Sequence, residues 1–185
     1  MYRPAFLLLV LLGLLAAGCP QPSAAPPAGA SSVGPCGVPE LNQPVPDFAF
    51  TTLSGDTQQL ADLRGQVIVA DFWAMLCLGC VEGLQAYQAD PELSSNPRVT
   101  LLAFSTDRSQ AAIQGFVKEK GWTFPVALAT DPVREALAAT GRLVLPEVRI
   151  LDTAGRLRYR LGAEQATHQT VKCLVDHLLG EEQTP

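Results

Sequence analysis

No run of lysine or arginine occurs anywhere in the 185 residues. Thirteen Lys and Arg stand against eighteen Asp and Glu, for a formal net charge of -5. Nucleic acid binding needs clustered cations on the phosphates, so a nucleic-acid partner is excluded. Long apolar runs are also missing. The longest, AFLLLVLLGLLAA at residues 5–17, has 13 residues, whereas a membrane-spanning helix needs about 20. There is no internal repeat, and only one pair of cysteines is closely spaced. Histidine occurs twice, with no motif beside either copy.

The ends of the chain read differently from its middle. Arg3 and the apolar stretch after it have the form of an export signal, predicted over 1–18. The stretch ends in LAAGC, and small residues before a cysteine resemble a bacterial lipobox, although Ala16 holds the position where Leu is usual. That resemblance implies cleavage before Cys19 and a lipid on its thiol, anchoring the chain to a membrane. The other reading is ordinary cleavage nearby and a soluble product. Either places the domain outside the cytoplasm, in an oxidising compartment. Residues 19–43 are rich in Pro, Ala and Ser and show no hydrophobic period, as expected of an extended tether. The folded domain is expected over 44–185.

Within it, DFAFTTLSGDTQQL alternates around a Gly-Asp turn and predicts a hairpin. QVIVADFW and RVTLLAFST are continuous apolar runs of strand length, expected to be buried. Helices are predicted from the first cysteine of the close pair to Pro91, over SQAAIQGFVKEKG, over DPVREALAATG with Asp131 as its cap, and over EQATHQTVKCLVDHLL. FPVAL is a short strand, and EVRIL and RLRYRLG form a hairpin around DTAG. Strands that alternate with helices and end in a hairpin predict an α/β fold, with a mixed central sheet flanked by helices on both faces and an N-terminal β-hairpin extension.

Cys77 and Cys80 fall where strand gives way to helix. Free N–H groups and the positive dipole end at a helix start favour a thiolate, so a depressed pKa is expected at Cys77. Cys80 is one turn on and on the same face, able to close a disulfide. Such a pair can attack a client disulfide and then release the mixed disulfide. Two other uses share the spacing. A zinc site would need further ligands from Cys36, Cys173, His168 and His177, and an inert crosslink would need none. The strand-to-helix position favours redox work.

VIVADFWAMLCLGC resembles the active-site strand and loop of thioredoxins. With VPDFAFTTLSGDTQQLADLRGQVIVADFWA, TFPVALATD and LPEVRILDTAGRLRYRLGA, the chain is similar to the TlpA/ResA group of membrane-tethered thiol–disulfide oxidoreductases over about residues 44 to 180. Its LPE and the strand pair after it look most like the DsbE branch of cytochrome c biogenesis. The resemblance implies a thioredoxin-like fold and no cofactor or metal. It implies Cys77 as nucleophile, Cys80 as resolving thiol and Asp71 as the buried acid that takes the Cys80 proton. It implies a cis-proline at Pro146, with the Leu145 backbone and Glu147 beside the substrate. The departures from the pattern are Leu76 for the usual Trp, Leu78-Gly79 between the cysteines, Gly83 in place of an acid, and Val144 in place of a second Gly. A peroxiredoxin would carry Thr and Pro where Ala74 and Ala70 stand.

Cys36 and Cys173 are then left over, as a second, structural disulfide or as separate thiols. The activity expected is reduction of disulfides in exported client proteins, with electrons from a membrane donor and cytochrome c maturation as one use. The alternative is a binding module of the same fold, gripping a Cys-containing or metal-carrying client with little turnover.

Overall fold

The structure, a computed structural model, describes residues 34–181. The expected signal, Cys19 and most of the tether lie outside the described residues. Along the chain come β1 (Gln43–Pro44), β2 (Ala49–Thr51), β3 (Thr57–Gln59), a 3-10 turn (Leu60–Leu63) and β4 (Val67–Trp73). After these follow α1 (Leu78–Ala89), α2 (Pro91–Ser94), β5 (Val99–Ser105), α3 (Gln110–Lys120) and β6 (Val126–Leu128). The chain continues with α4 (Asp131–Ala136), β7 (Glu147–Leu151), β8 (Arg156–Leu161) and α5 (His168–Glu181).

Six strands form one sheet in the order β1-β8-β7-β4-β5-β6. β4 lies parallel to β5 and antiparallel to β7, so the sheet is mixed. Every residue of β4 is buried, as a central strand covered on both faces must be. Alternation then sorts its side chains into two layers. Val67, Val69 and Trp73 pack with Cys80, Leu84 and Tyr87 of α1, Ile113 of α3, and Val171, Leu174 and Val175 of α5. Ile68, Ala70 and Phe72 pack on the other face with Phe50, Leu60, and Val133 and Leu137 of α4 and its end. This is the mixed α/β architecture expected, with the β2–β3 hairpin as the N-terminal addition.

Local signals set most ends correctly. α3 begins on Ser109, whose hydroxyl accepts from the Ala112 N–H, and stops at Gly121, which takes a left-handed φ of 68°. Pro44 sits on an edge strand, where its missing N–H is harmless.

Four expectations are corrected. Residues 34–43 already belong to the folded part, ahead of residue 44, because Val38 is buried in the core and Leu41 N–H donates to Arg158 O. Asp131 is not a cap but the first residue of α4, and Thr130 precedes it as the cap residue. That helix ends at Ala136 rather than running to Gly141. Ala138 turns left-handed at φ 50°, and its carbonyl accepts from Arg149 and Arg160 instead of continuing the helix. α5 starts at His168, four residues late, with the Thr167 hydroxyl accepting from the Thr170 N–H. Both histidines face carboxylates: His168 Nε2 lies 2.8 Å from Asp90 Oδ2, and His177 Nε2 lies 3.1 Å from Glu181 Oε1.

Candidate active site

β4 carries the chain to Trp73, and a tight turn delivers Cys77 to the start of α1, with Cys77 N–H donating to Ala74 O at 3.0 Å. Cys77 is itself the cap of α1, and its Sγ accepts from the Cys80 N–H at 3.2 Å. The two sulfurs are joined at 2.05 Å. Cys80 is only 1% exposed, whereas Cys77 is half-buried. A partner arriving from solvent therefore meets Cys77. The amide that faces its sulfur now would also face the negative charge left there on reduction.

The turn is braced from the next strand. Met75 N–H donates to Asp107 Oδ2 at 2.8 Å, and the Ser105 hydroxyl donates to the same oxygen at 3.0 Å. Thr106 N–H reaches back to Trp73 O. Sequence reasoning missed Asp107, because no local pattern links it to a loop some thirty residues earlier.

Asp71 lies on β4 two residues before Trp73, so alternation turns it to the face packed by Cys80, Leu84 and Tyr87. It is 2% exposed. Burial alone pushes its carboxyl well above the ordinary aspartate range, and Oδ1 has no hydrogen-bond partner. An acid so placed holds its proton readily and is suited to exchanging one with a neighbouring thiol.

Pro146 follows a cis peptide bond from Leu145. It lies beside the redox turn: a Cβ added at Gly79 would stand 3.9 Å from Pro146 Cδ. Leu145 packs on both core layers. Glu147 is half-buried and ion-pairs with Arg149. Arg149 is 2% exposed and donates onward to Leu137 O at 3.0 Å and Val148 O at 3.2 Å. A buried Arg inside an apolar strand could have flagged this clamp in the sequence. It ties the start of β7 to the residues just after α4. Three large apolar side chains are strongly exposed: Leu76 at 98%, Leu78 at 71% and Val144 at 67%. Two flank Cys77, and the third lies two residues before Pro146.

The zinc reading does not assemble. Cys36 and Cys173 are joined in a disulfide, with Cα atoms 6.1 Å apart, and both histidines are turned to carboxylates. The groups of metal-ligand type that do converge among the described residues are Glu40, His177 and Glu181. Arg158 already bridges the two acids there.

A two-cysteine turn capping a helix, a buried acid on the strand beneath and a cis-proline alongside define a thiol–disulfide oxidoreductase of the thioredoxin fold. Comparison with known proteins places the chain further: it belongs to the AhpC/TSA family, which matches residues 41–160. It is similar to the thiol-disulfide oxidoreductase ResA of Bacillus thuringiensis subsp. konkukian, at 26% identity over 130 residues, covering 70% of this chain and 74% of that protein. In fold it is similar to a thiol:disulfide interchange protein of Chlorobium tepidum, with a TM-score of 0.66 at 19% identity over 76% of this chain and 98% of that one. It is also similar in fold to a secreted Mycobacterium tuberculosis disulfide oxidoreductase homologous to E. coli DsbE, with a TM-score of 0.56 at 22% identity over 72% and 95% of the two chains.

Proposed function

We propose that the chain reduces disulfides in exported proteins through the Cys77–Cys80 couple. The observation that carries this is the asymmetry of the pair, one sulfur reachable at a helix start and the other buried against the core. In the reduced enzyme the Cys77 thiolate attacks one sulfur of a client disulfide. A Cys77–client bond forms and the client's second sulfur leaves as a thiolate, which takes a proton from water. Cys80 then gives its proton to the Asp71 carboxylate and attacks the Cys77 sulfur. The client leaves with both sulfurs reduced, and the enzyme holds the Cys77–Cys80 disulfide. A dithiol donor at the membrane returns the two electrons.

The Leu145 backbone, ahead of Pro146, holds the client segment in extended form, and Glu147 lines the site with its charge neutralised by Arg149. Leu76, Leu78 and Val144 form an apolar rim, which suits a client with apolar residues around its cysteines. The enzyme acts outside the cytoplasm. Residues 1–18 are the signal, Cys19 bears the lipid, and residues 19–43 reach from membrane to domain, with 44–185 carrying the activity. Maturation of c-type cytochromes is one use, because the LPE segment at Leu145–Glu147 has the form of that branch.

The test is to trap clients on a Cys80→Ser variant, which stops at the mixed disulfide. Recovery of exported Cys-containing proteins linked to Cys77 supports the proposal. A titrated potential as oxidising as that of DsbA, near -120 mV, would overturn the reducing direction.

A further inference from the structure

Two buried oxygens stand unpaired near the redox couple. Asp71 Oδ1 and the Tyr87 hydroxyl have no hydrogen-bond partner, and the residues are 2% and 1% exposed. A buried hydroxyl left without a partner is destabilising, so the arrangement asks for an explanation. Tyr87 belongs to the layer between β4 and α1, and alternation along β4 turns Asp71 to that same layer; burial first, and then the Asp71 carboxylate, push the Tyr87 phenol above its ordinary value. The phenol therefore stays protonated through the neutral range and is available as a donor.

Gly83 stands between the two ends of this arrangement. It lies three residues after Cys80 and four before Tyr87, on the same face of α1. A Cβ added there would lie 3.8 Å from the Tyr87 hydroxyl oxygen. Gly83 itself is half-buried, whereas the hydroxyl beneath it is sealed from solvent.

We propose that Tyr87 is a positioning residue for Asp71. Its hydroxyl donates to the carboxylate through one buried water, and the gap at Gly83 is where the pair exchanges its proton with solvent. This rests on the role given to Asp71 above. The other titratable groups on this layer are Cys77 and Cys80 of the redox turn and Tyr159 of β8. His168 of α5 stacks outside Tyr87, with ring centroids 6.2 Å apart, and is bonded to Asp90. α3, β5 and β7 present Ile113, Ala103 and Val148, which do not titrate. Arg149 packs against Phe72, on the opposite face of the sheet.

The experiment follows the pH profile of mixed-disulfide resolution in four full-length proteins: wild type, Tyr87→Phe, Gly83→Ala and Asp71→Asn. Losing the phenol's donated bond makes the carboxylate harder to form. The acid limb should move to higher pH in Tyr87→Phe, and on that limb the rate at fixed pH should fall about fivefold, the factor one net hydrogen bond supplies. Gly83→Ala, with a methyl in the gap, should slow resolution across the profile without loss of folding. Carbon-13 titration of the Asp71 carboxyl reads the same shift without turnover. If Asp71→Asn removes the acid limb while Tyr87→Phe leaves both limb and titration in place, the Tyr87 proposal falls alone. If Asp71→Asn leaves the limb unmoved, the role of Asp71 and this inference fall together.

Discussion

Among the described residues there are two disulfides, and the proposed function gives them opposite jobs. Cys77–Cys80 spans a sequence separation of 3 and Cys36–Cys173 one of 137. The short bridge constrains almost no chain, so its value lies in being opened. Its outer sulfur caps a helix, where an amide awaits the charge that opening creates. The long bridge ties the 3-10 turn at Pro35–Gly37 to the middle of α5. Around Cys173 the helix N–H groups are spent on the helix itself, so nothing comparable favours a thiolate there. Bond chemistry is the same in both. On the proposed function, position on the backbone is what would separate a working sulfur from a stapling one.

The comparison breaks most visibly at Cys77. Cys77→Ser should lower client disulfide reduction by at least about 10³-fold while the thermal midpoint barely moves, measured by turnover and by calorimetry on one preparation. The reverse holds for the long bridge. Replacing Cys36 and Cys173 together by Ala should cost about 2–5 kcal/mol of stability, since so long a loop is closed, with reduction of a small disulfide kept near the wild-type rate. Should activity fall with the long bridge while the midpoint holds, the division of labour is wrong.

Asp71→Asn separates rate from stability at one residue. Resolution should slow about 100-fold, the usual scale for a lost general base. Stability at neutral pH should rise, read as a higher thermal midpoint. The sign follows from burial, which raises the native pKa above the unfolded one. The native state keeps the proton to higher pH than the unfolded chain does. The stability this contributes is complete below the ordinary aspartate range and is lost as pH climbs through the raised native value. The Asn variant should lack that decline in a pH series of denaturant melts. The smallest effect is expected at the rim. Leu76→Ser with Leu78→Ser should raise KM for a protein client about tenfold, through lost apolar contact, and leave a small soluble disulfide unaffected.

Much of this was legible in the sequence because it is local. Continuous apolar runs marked β4 and β5, and Ser109 and Gly121 bounded α3. The strand-to-helix junction singled out Cys77 and Cys80. The boundary at residue 44 failed for a tertiary reason: residues 34–43 look like tether by composition, yet Val38 enters the core and Cys36 reaches α5. Local pattern extends α4 to Gly141 because Ala138 has no intrinsic reason to leave the helix. It leaves because Arg149 and Arg160, from two later strands, claim its carbonyl.

By itself the sequence determined the alternation of strand and helix, the place of the redox pair and the type of its chemistry, since each depends on residues within a few positions of one another. Only the tertiary structure decided how each acid is partnered. Asp71 lies in an apolar layer that leaves its Oδ1 unpartnered, whereas Glu147 is neutralised by Arg149. The same holds for the brace from Asp107 and for Tyr87 arriving beside that acid. Burial and pairing are set by residues far apart along the chain, and local pattern carries no record of where they meet.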